Sequence, residues 1–126
     1  ILFAAAGRRV SLLRSFRKAM DDLGFIGKIY AADSGLSAPA SFVADEKLIV
    51  PRVTSDDYIA TLKNICKEHK IGLIISLIDS DLTLLSQHKA EFMAEGVTVL
   101  VCNEATNKIC FDKLSSYEFF AANKMF

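Results

Sequence analysis

The sequence has no excess of charge of either sign. Its 126 residues include 15 Lys and Arg against 15 Asp and Glu. A balanced chain creates no net field that would attract nucleic acid or an anionic membrane, so we expect neither as a partner. Long apolar runs are also absent, since no stretch approaches the ~20 residues that a membrane span needs. Residues 1–6 lack a basic leader and are too short for a signal-peptide core. These absences predict a cytoplasmic globular protein.

Cysteine and histidine are scarce. The three cysteines, Cys66, Cys102 and Cys110, are odd in number and lack the paired spacing of a disulfide framework or a zinc site. Because each has apolar neighbours, we predict that all three are small core residues in a reducing compartment. His69 and His88 have no acid or cysteine at ligand spacing, which favours a structural role over metal binding.

Apolar residues are abundant, at 52% of the chain, and 24% of residues are charged. This balance is typical of one well-packed domain and excludes a disordered tail. Apolar segments of strand length alternate with segments of helical spacing. The alternation predicts an α/β fold, a Rossmann-like three-layer sandwich with a mostly parallel sheet of about five strands. With right-handed crossovers, the first strand should lie between the second and the fourth, with the third and fifth outside them.

The predicted elements can be placed along the chain. The strands cover residues 1–6, 28–32, 47–50, 72–78 and 97–101, and the helices cover residues 9–23, 54–70, 79–92, 103–110 and 112–123, with one helical turn near 38–43 in the loop 34–44. Residues 72–78 are almost entirely apolar, which indicates a strand covered on both faces at the centre of the sheet. Thr54 and Asp57 resemble a capping box.

The turn after the first strand has the composition of an anion-binding site. Residues 4–7 read Ala-Ala-Ala-Gly, small enough for the backbone to approach a ligand. The first amides of the helix that follows have no intrahelical acceptors. Arg8 and Arg9 place two cations at a helix end where each is unfavourable by about 0.3–1 kcal/mol. Two interpretations stay open: both guanidinium groups are solvated or paired with acids, or a bound anion offsets their cost.

Three carboxylates follow predicted strands. Asp33 ends the second strand, where dinucleotide-binding folds place the acid that holds a ribose hydroxyl. The alternative is that Asp33 only caps the turn at residues 34–35. Asp79 and Asp81 open a helix after the fourth strand. Capping explains one of these two carboxylates, and the other is a candidate ligand contact in the same crevice as Gly7.

Several short stretches resemble the N-terminal domain of ATP-grasp ligases, often called pre-ATP-grasp, and most closely the carbamoyl-phosphate synthase large-subunit-like group. They are residues 1–10 (ILFAAAGRRV), 31–33 (AAD), 38–40 (APA), 43–45 (VAD), 50–52 (VPR), 77–82 (LIDSDL), 111–113 (FDK) and 117–119 (YEF). Each stretch is modest alone, and their order over nearly the whole chain gives the resemblance its specificity. Gly35 and Ala5 depart from it, since relatives often carry an acid and a serine at these positions.

The resemblance implies a pre-ATP-grasp domain over residues 1–111, with residues 112–126 forming a helix that leads into an ATP-grasp domain of the same protein. In the family, that domain supplies most of the contacts to ATP and magnesium, and it joins a carboxylate to an amine through an acyl phosphate. This chain alone is therefore expected to be inactive and to bind neither cofactor tightly. Lys113 matches the cation that contacts ATP phosphates. Matches to the pocket for a small anionic acceptor are Gly7, Arg8, Asp33, Asp79 and Asp81, with Arg9 counted beside them.

Two other functions share this topology. The main alternative is a stand-alone Rossmann-type nucleotide-binding module. Its G-x-G-x-x-G pattern is absent, and Arg9 stands where the third glycine would permit close helix packing. A phospho-receiver domain requires acids at the end of the first strand, where this chain has alanines. The oligomeric state is left open, with a homodimer as one option.

Overall fold

The computed structural model describes residues 1–35 and 37–125. Strands and helices alternate along the chain until two helices follow one another at its end. The strands are β1 (Leu2–Ala4), β2 (Tyr30–Asp33), β3 (Glu46–Ile49), β4 (Leu73–Ser76) and β5 (Thr98–Val99), and the helices are α1 (Val10–Asp22), α2 (Tyr58–Glu68), α3 (Asp79–Ala94), α4 (Glu104–Phe111) and α5 (Lys113–Ala122). A short 3₁₀ helix spans Pro39–Phe42. No helix within the described residues is long and apolar enough to cross a membrane.

The strands in the described residues form one parallel sheet in the order β3-β2-β1-β4-β5. β1 is the central strand, because Phe3 is in register with Ala31 of β2 and with Ile75 of β4. The chain winds outward from β1 to β3 on one side and continues through β4 and β5 on the other. This arrangement confirms the predicted α/β fold and strand order. It also makes β4 an inner strand beside the centre, not the central strand that its apolar sequence predicted.

Helices cover both faces of the sheet. Alternate residues of β1 point to opposite faces, and they are buried on both. On one face, Leu2 and Ala4 belong to a core cluster with residues of α2 and α3. On the other face, Phe3 packs with Leu13 of α1. The Phe3 ring also meets the Phe16 ring edge-on, with 5.1 Å between their centroids. The predicted three-layer sandwich is therefore present.

The cysteine prediction is right for one residue of three. Cys66 is buried on α2, whereas Cys102 and Cys110 are exposed. Two of the apolar residues near them are also exposed, Leu100 at 60% and Phe111 at 59%. An apolar segment is buried only where a second layer covers it, and sequence neighbours do not show whether one does.

The predicted capping box before α2 is wrong. α2 begins at Tyr58 with Asp57 at its N-cap, and within the described residues no side chain caps this helix. The Tyr58 N–H donates to the carbonyl oxygen of Ser55 at 3.0 Å. The backbone turn thus satisfies an amide that Thr54 and Asp57 were expected to help cap.

α5 forms within the predicted helical range of residues 112–123, but its apolar side chains are not part of the core. The spacing of Leu114, Tyr117 and Phe120 predicts one apolar face, yet none of the described residues of α5 is buried. The helix does have the N-cap that it needs, because Asp112 accepts a hydrogen bond from the Ser115 N–H at 2.7 Å. Local sequence therefore forms the helix, while its apolar residues remain outside the core.

Candidate ligand cleft at the carboxyl edge of the sheet

A cleft of about 560 Å³ opens at the carboxyl ends of the strands. It is lined by Ala5, Gly7, Asp33, Ser34, Val50, Pro51, Arg52, Val53, Thr54, Tyr58 and Ile78. We call this set of residues the carboxyl-edge cleft. Most of its lining follows β1, β2 and β3, and Ile78 follows β4, so the cleft borders the point where the winding of the sheet reverses. Ligands of open α/β sheets bind at this point.

Two larger cavities lie at the opposite, amino edge of the sheet. One of about 790 Å³ includes Gly72 and Val97, which precede β4 and β5. The other, of about 810 Å³, has a mainly apolar lining that includes Phe25 and Ile26. We place the candidate site at the carboxyl edge despite its smaller volume, because the strand ends converge there with polar groups of both charges.

The turn between β1 and α1 forms one wall of the cleft. Ala5 and Gly7 both adopt left-handed backbone conformations, with φ of 49° and 50°. Such a conformation is unfavourable for alanine but not for glycine. The turn is tied to its surroundings on two sides, because the Ala6 N–H donates to the Ala32 carbonyl at 3.1 Å and the Gly7 carbonyl accepts from the Ala40 N–H at 3.0 Å. These contacts fix the wall that the sequence pattern assigned to ligand binding.

Asp33 holds this turn with both carboxylate oxygens. The Gly7 N–H donates to Asp33 Oδ2 at 2.9 Å, and the Gly35 N–H donates to Oδ1, also at 2.9 Å. Asp33 therefore does cap the turn, as one of the two interpretations predicts. The same carboxylate also occupies the Gly7 amide, which the sequence pattern had offered to an external anion. A ligand group beside Asp33 must therefore donate a hydrogen bond, and a carboxylate retains the lone pairs to accept one.

The cations of the first turn lie apart from the cleft lining. Arg8 and Arg9 are exposed, and among residues 1–35 and 37–125 neither has a salt-bridge partner. Their exposure agrees with the solvated interpretation. Arg52 is instead the positively charged residue among the described cleft residues. It follows β3 and is exposed, so its guanidinium group is available to an anion.

The two carboxylates that open α3 lie in opposite environments. Asp79 is exposed, whereas Asp81 has no exposed surface. The Ser76 hydroxyl donates to Asp81 Oδ2 at 2.6 Å. In the described structure α3 has Ile78 at its N-cap and no capping side chain, so the capping explanation of this pair is wrong. Within that same part of the chain neither carboxylate lines the cleft, although Ile78 beside them does.

Tyr58, the first residue of α2, joins the cleft to Asp81. Its side chain lines the cleft although it is only 2% exposed. Burial, followed by the negative charge of Asp81, raises the pKa of the Tyr58 hydroxyl, and burial raises the pKa of Asp81. The Tyr58 hydroxyl and Asp81 Oδ1 have no hydrogen-bond partner of normal geometry among the described residues. They are nevertheless close enough for each group to influence the other's pKa.

Lys113 is separate from these groups. It is the first residue of α5 and is exposed, and it is not among the described residues of the cleft lining. The structure thus brings Gly7 and Asp33 together and leaves the proposed phosphate contact elsewhere. Across the described residues, no group of three or more His, Cys, Asp or Glu side chains is arranged to hold a metal ion.

Sequence reasoning missed Arg52 and Tyr58 as site residues. Arg52 had a usable signal: it follows Pro51 at the end of a predicted strand, and the carboxyl ends of parallel strands meet at one edge of a sheet. Tyr58 had none, because it fits the apolar stripe of α2 that also includes Leu62. Its burial beside Asp81 depends on how α2 and α3 pack.

An open parallel sheet with a cleft at the carboxyl ends of its strands defines this chain as a Rossmann-like α/β domain. Residues 1–100 match the family model described as PylC-like, N-terminal domain. The chain therefore belongs to the PylC-like N-terminal domain family.

The chain is also similar to individual proteins, at lower coverage or low identity. Over 79 residues the chain is 33% identical to formate-dependent phosphoribosylglycinamide formyltransferase of Synechococcus sp. (strain RCC307), a match that covers 63% of this chain and 18% of that protein. The solved structure of N5-carboxyaminoimidazole ribonucleotide synthetase from Thermotoga maritima is similar with a TM-score of 0.59 and 18% identity, covering 97% of this chain and 30% of that one. For the complete multifunctional pyruvate carboxylase from Rhizobium etli the TM-score is 0.61 at 19% identity, covering 96% and 12%. At these identities the structural likeness shows the fold.

In each of these relatives the matched domain is a minor part of a longer chain. The matches confirm the resemblance to an N-terminal domain of ATP-grasp ligases. They do not distinguish the carbamoyl-phosphate synthase-like group, which stays a proposal.

Proposed function

We propose that this chain is the acceptor-binding domain of an ATP-dependent carboxylate–amine ligase of the carbamoyl-phosphate synthase large-subunit-like group, acting with an ATP-grasp domain of the same protein. The carboxyl-edge cleft supports this proposal most directly, because Asp33, Gly7 and Arg52 meet there where the winding reverses. Asp33 accepts hydrogen bonds from a hydroxyl or amine, and Arg52 offers a planar set of donors to a carboxylate or phosphate. The cleft therefore suits a small acceptor that carries both a donor and an anionic group.

The chemistry requires more than this domain. ATP, when bound, supplies the phosphoryl group that turns a carboxylate into an acyl phosphate with release of ADP; the amine then attacks the acyl carbon and phosphate leaves. The residues of the cleft hold and orient the acceptor. Lys113 is an exposed cation at the start of α5, which suits a contact with ATP phosphates. The described residues offer no metal-ligand cluster, so we assign the magnesium ligands to the rest of the protein.

The names of two relatives suggest an acceptor class. Phosphoribosylglycinamide formyltransferase and N5-carboxyaminoimidazole ribonucleotide synthetase both refer to ribonucleotide-type compounds. By extension, a phosphate-bearing amine is our first choice for this protein. Its phosphate would contact Arg52, and its hydroxyl or amine would donate to Asp33.

Trapping the acyl phosphate tests this function in the native protein that contains the chain. Hydroxylamine converts acyl phosphates to hydroxamates, so the protein is incubated with ATP, magnesium, hydroxylamine and a panel of carboxylates and phosphorylated or unphosphorylated amines. We expect ATP-dependent hydroxamate with at least one carboxylate, and phosphate release that saturates with an amine. No hydroxamate across the panel, together with saturable micromolar binding of NAD, would favour the stand-alone nucleotide-binding module instead.

A further inference from the structure

Three buried polar side chains lie beneath the carboxyl-edge cleft, and we call them the buried polar cluster. Its members are Ser76 at the end of β4, Asp81 in the first turn of α3 and Tyr58 at the start of α2. Ser76 is 7% exposed and Asp81 is fully buried, and the Ser76 hydroxyl donates to Asp81 Oδ2 at 2.6 Å. The buried polar cluster thus joins the end of one inner strand to the beginnings of two helices.

Two polar atoms of the buried polar cluster lack a hydrogen bond of normal geometry to any described residue. Within the described residues, Asp81 Oδ1 and the Tyr58 hydroxyl are both buried without a hydrogen-bond partner of normal geometry. Buried unpaired polar groups are rare in native structures and each calls for an explanation. A phenylalanine and a leucine would fill the same space without this penalty. The two groups instead act on each other, since each contributes a side-chain hydrogen-bond interaction to the other's pKa.

The position of the pair supplies an explanation. The Tyr58 side chain lines the cleft, while its hydroxyl lies on the side of Asp81 and is hidden from solvent. Asp81 is thus near the hydroxyl end of the Tyr58 ring and is not among the described residues that line the cleft. The hydrogen bond from Ser76 holds Asp81 Oδ2, and this in turn limits the position of Oδ1.

We propose that Asp81 is a positioning residue for the carboxyl-edge cleft, acting through the Tyr58 ring. This inference rests on the proposed function of the cleft, because it assigns the two residues to the same acceptor site. Neither side chain is assigned to the chemical steps. Their expected contribution is to acceptor affinity, since a fixed ring presents a preformed wall to the ligand.

The first test is free of ligand. Aromatic ¹³C–¹H spectra of the protein report the environment and flip rate of the Tyr58 ring in the wild type, in Asp81→Asn and in Ser76→Ala. We expect both substitutions to change the Tyr58 signals, the second less strongly. Unchanged Tyr58 signals in a folded Asp81→Asn protein would overturn the proposal, and Ser76→Ala keeps the test open if Asp81→Asn fails to fold.

The second test measures binding in ¹⁵N-labelled protein. Ribose 5-phosphate, glycine and inorganic phosphate are titrated as probes, and the amide shifts of Gly7 and Val53 give the dissociation constants. We expect at least tenfold weaker binding of ribose 5-phosphate in both Asp81→Asn and Tyr58→Phe. The double variant should bind no more weakly than the worse single variant, because the two residues act as one unit. Tyr30→Phe is the matched control, since Tyr30 is buried at the amino edge and should leave binding unchanged.

The outcomes separate the two proposals. Wild-type affinity in folded Asp81→Asn or Tyr58→Phe, or effects of the two substitutions that simply add, would overturn the positioning role and leave the proposed function standing. A wild type that binds none of the probes overturns the positioning role as well, and the hydroxamate assay then decides the proposed function by itself.

Discussion

Asp33 shapes the turn that it lines. Its two carboxylate oxygens accept hydrogen bonds from the Gly7 and Gly35 amides, while Ala5 holds a left-handed conformation in the same turn. Hydrogen bonds to an ionised acceptor are stronger than those between neutral groups, so they offset the conformational cost of Ala5. The residue that gives the cleft its negative charge therefore also fixes the shape of its wall.

Replacing Asp33 with alanine tests this structural role. Two charge-assisted hydrogen bonds are lost, and we expect Asp33→Ala to lower the free energy of unfolding by about 1–3 kcal/mol. Urea denaturation measures the change. Asp22→Ala is the control, because Asp22 makes an exposed contact with Lys18 on α1 whose removal should cost less than about 0.5 kcal/mol. Equal losses in the two variants would contradict the assignment.

The raised pKa of Asp81 predicts that the stability of the protein depends on pH. Burial raises its pKa above the ordinary value of 3.8, so the folded protein binds this proton more tightly than the unfolded chain does. Ionisation of Asp81 therefore costs stability as the pH rises from 3.8 through the raised pKa. The amide side chain of the Asp81→Asn variant cannot ionise, so the free energy of unfolding of this variant should improve relative to the wild type as the pH rises above 3.8. Urea denaturation at a series of pH values above 3.8 checks the sign, and a wild type that becomes more stable relative to the variant as the pH rises would contradict it.

At the scale of elements, the connection from α3 to β5 depends on one backbone conformation. Gly96 has a φ of 79°, and its N–H donates to the Met93 carbonyl at 3.0 Å as the helix ends. The next amide, of Val97, donates to the Phe92 carbonyl at 2.9 Å. This closure satisfies the last carbonyls of α3 and directs the chain into the edge strand.

Two glycine substitutions isolate that conformation. A Cβ added at Gly96 or at Gly72 meets no atom within 4 Å, so steric contact does not distinguish the two sites. Only Gly96 has a positive φ, and we expect Gly96→Ala to lower the free energy of unfolding by about 1–2 kcal/mol. Gly72→Ala should be neutral or stabilising by up to about 1 kcal/mol. Chemical denaturation of both variants gives the comparison, and a Gly72→Ala protein that is the less stable of the two would refute it.

The elements themselves could be predicted from sequence because their apolar spacing is strong. α1 and α2 each bury one stripe, including Leu13 and Leu62, at helical intervals. Strand ends were harder, since a strand lasts only while its neighbour pairs with it; the apolar residues 97–101 contribute only Thr98–Val99 to the sheet. The prediction that Cys102 and Cys110 are core residues was wrong, because the sequence does not show which layer covers a segment.

At the scale of the whole molecule, the order of the strands is enough to predict one part of the candidate site. The Gly7 turn and Asp33 end neighbouring parallel strands, so their meeting was predictable once the strand order was known. The proximity of the buried Asp81 and Tyr58 side chains was not, because it depends on how α2 and α3 pack on the sheet. The roles of Arg8, Arg9, Asp79 and Lys113 in ligand binding stay predictions.

The Michaelis constants of an Arg52→Ala variant of the native protein test the acceptor-domain assignment most directly. Loss of a charged hydrogen bond should raise KM for the acceptor by about tenfold or more, while KM for ATP stays within about twofold. Arg14→Ala, which removes an exposed cation of α1 outside the described cleft lining, is the matched control and should leave both constants unchanged. A rise in KM for ATP with an unchanged KM for the acceptor would contradict the assignment of this cleft.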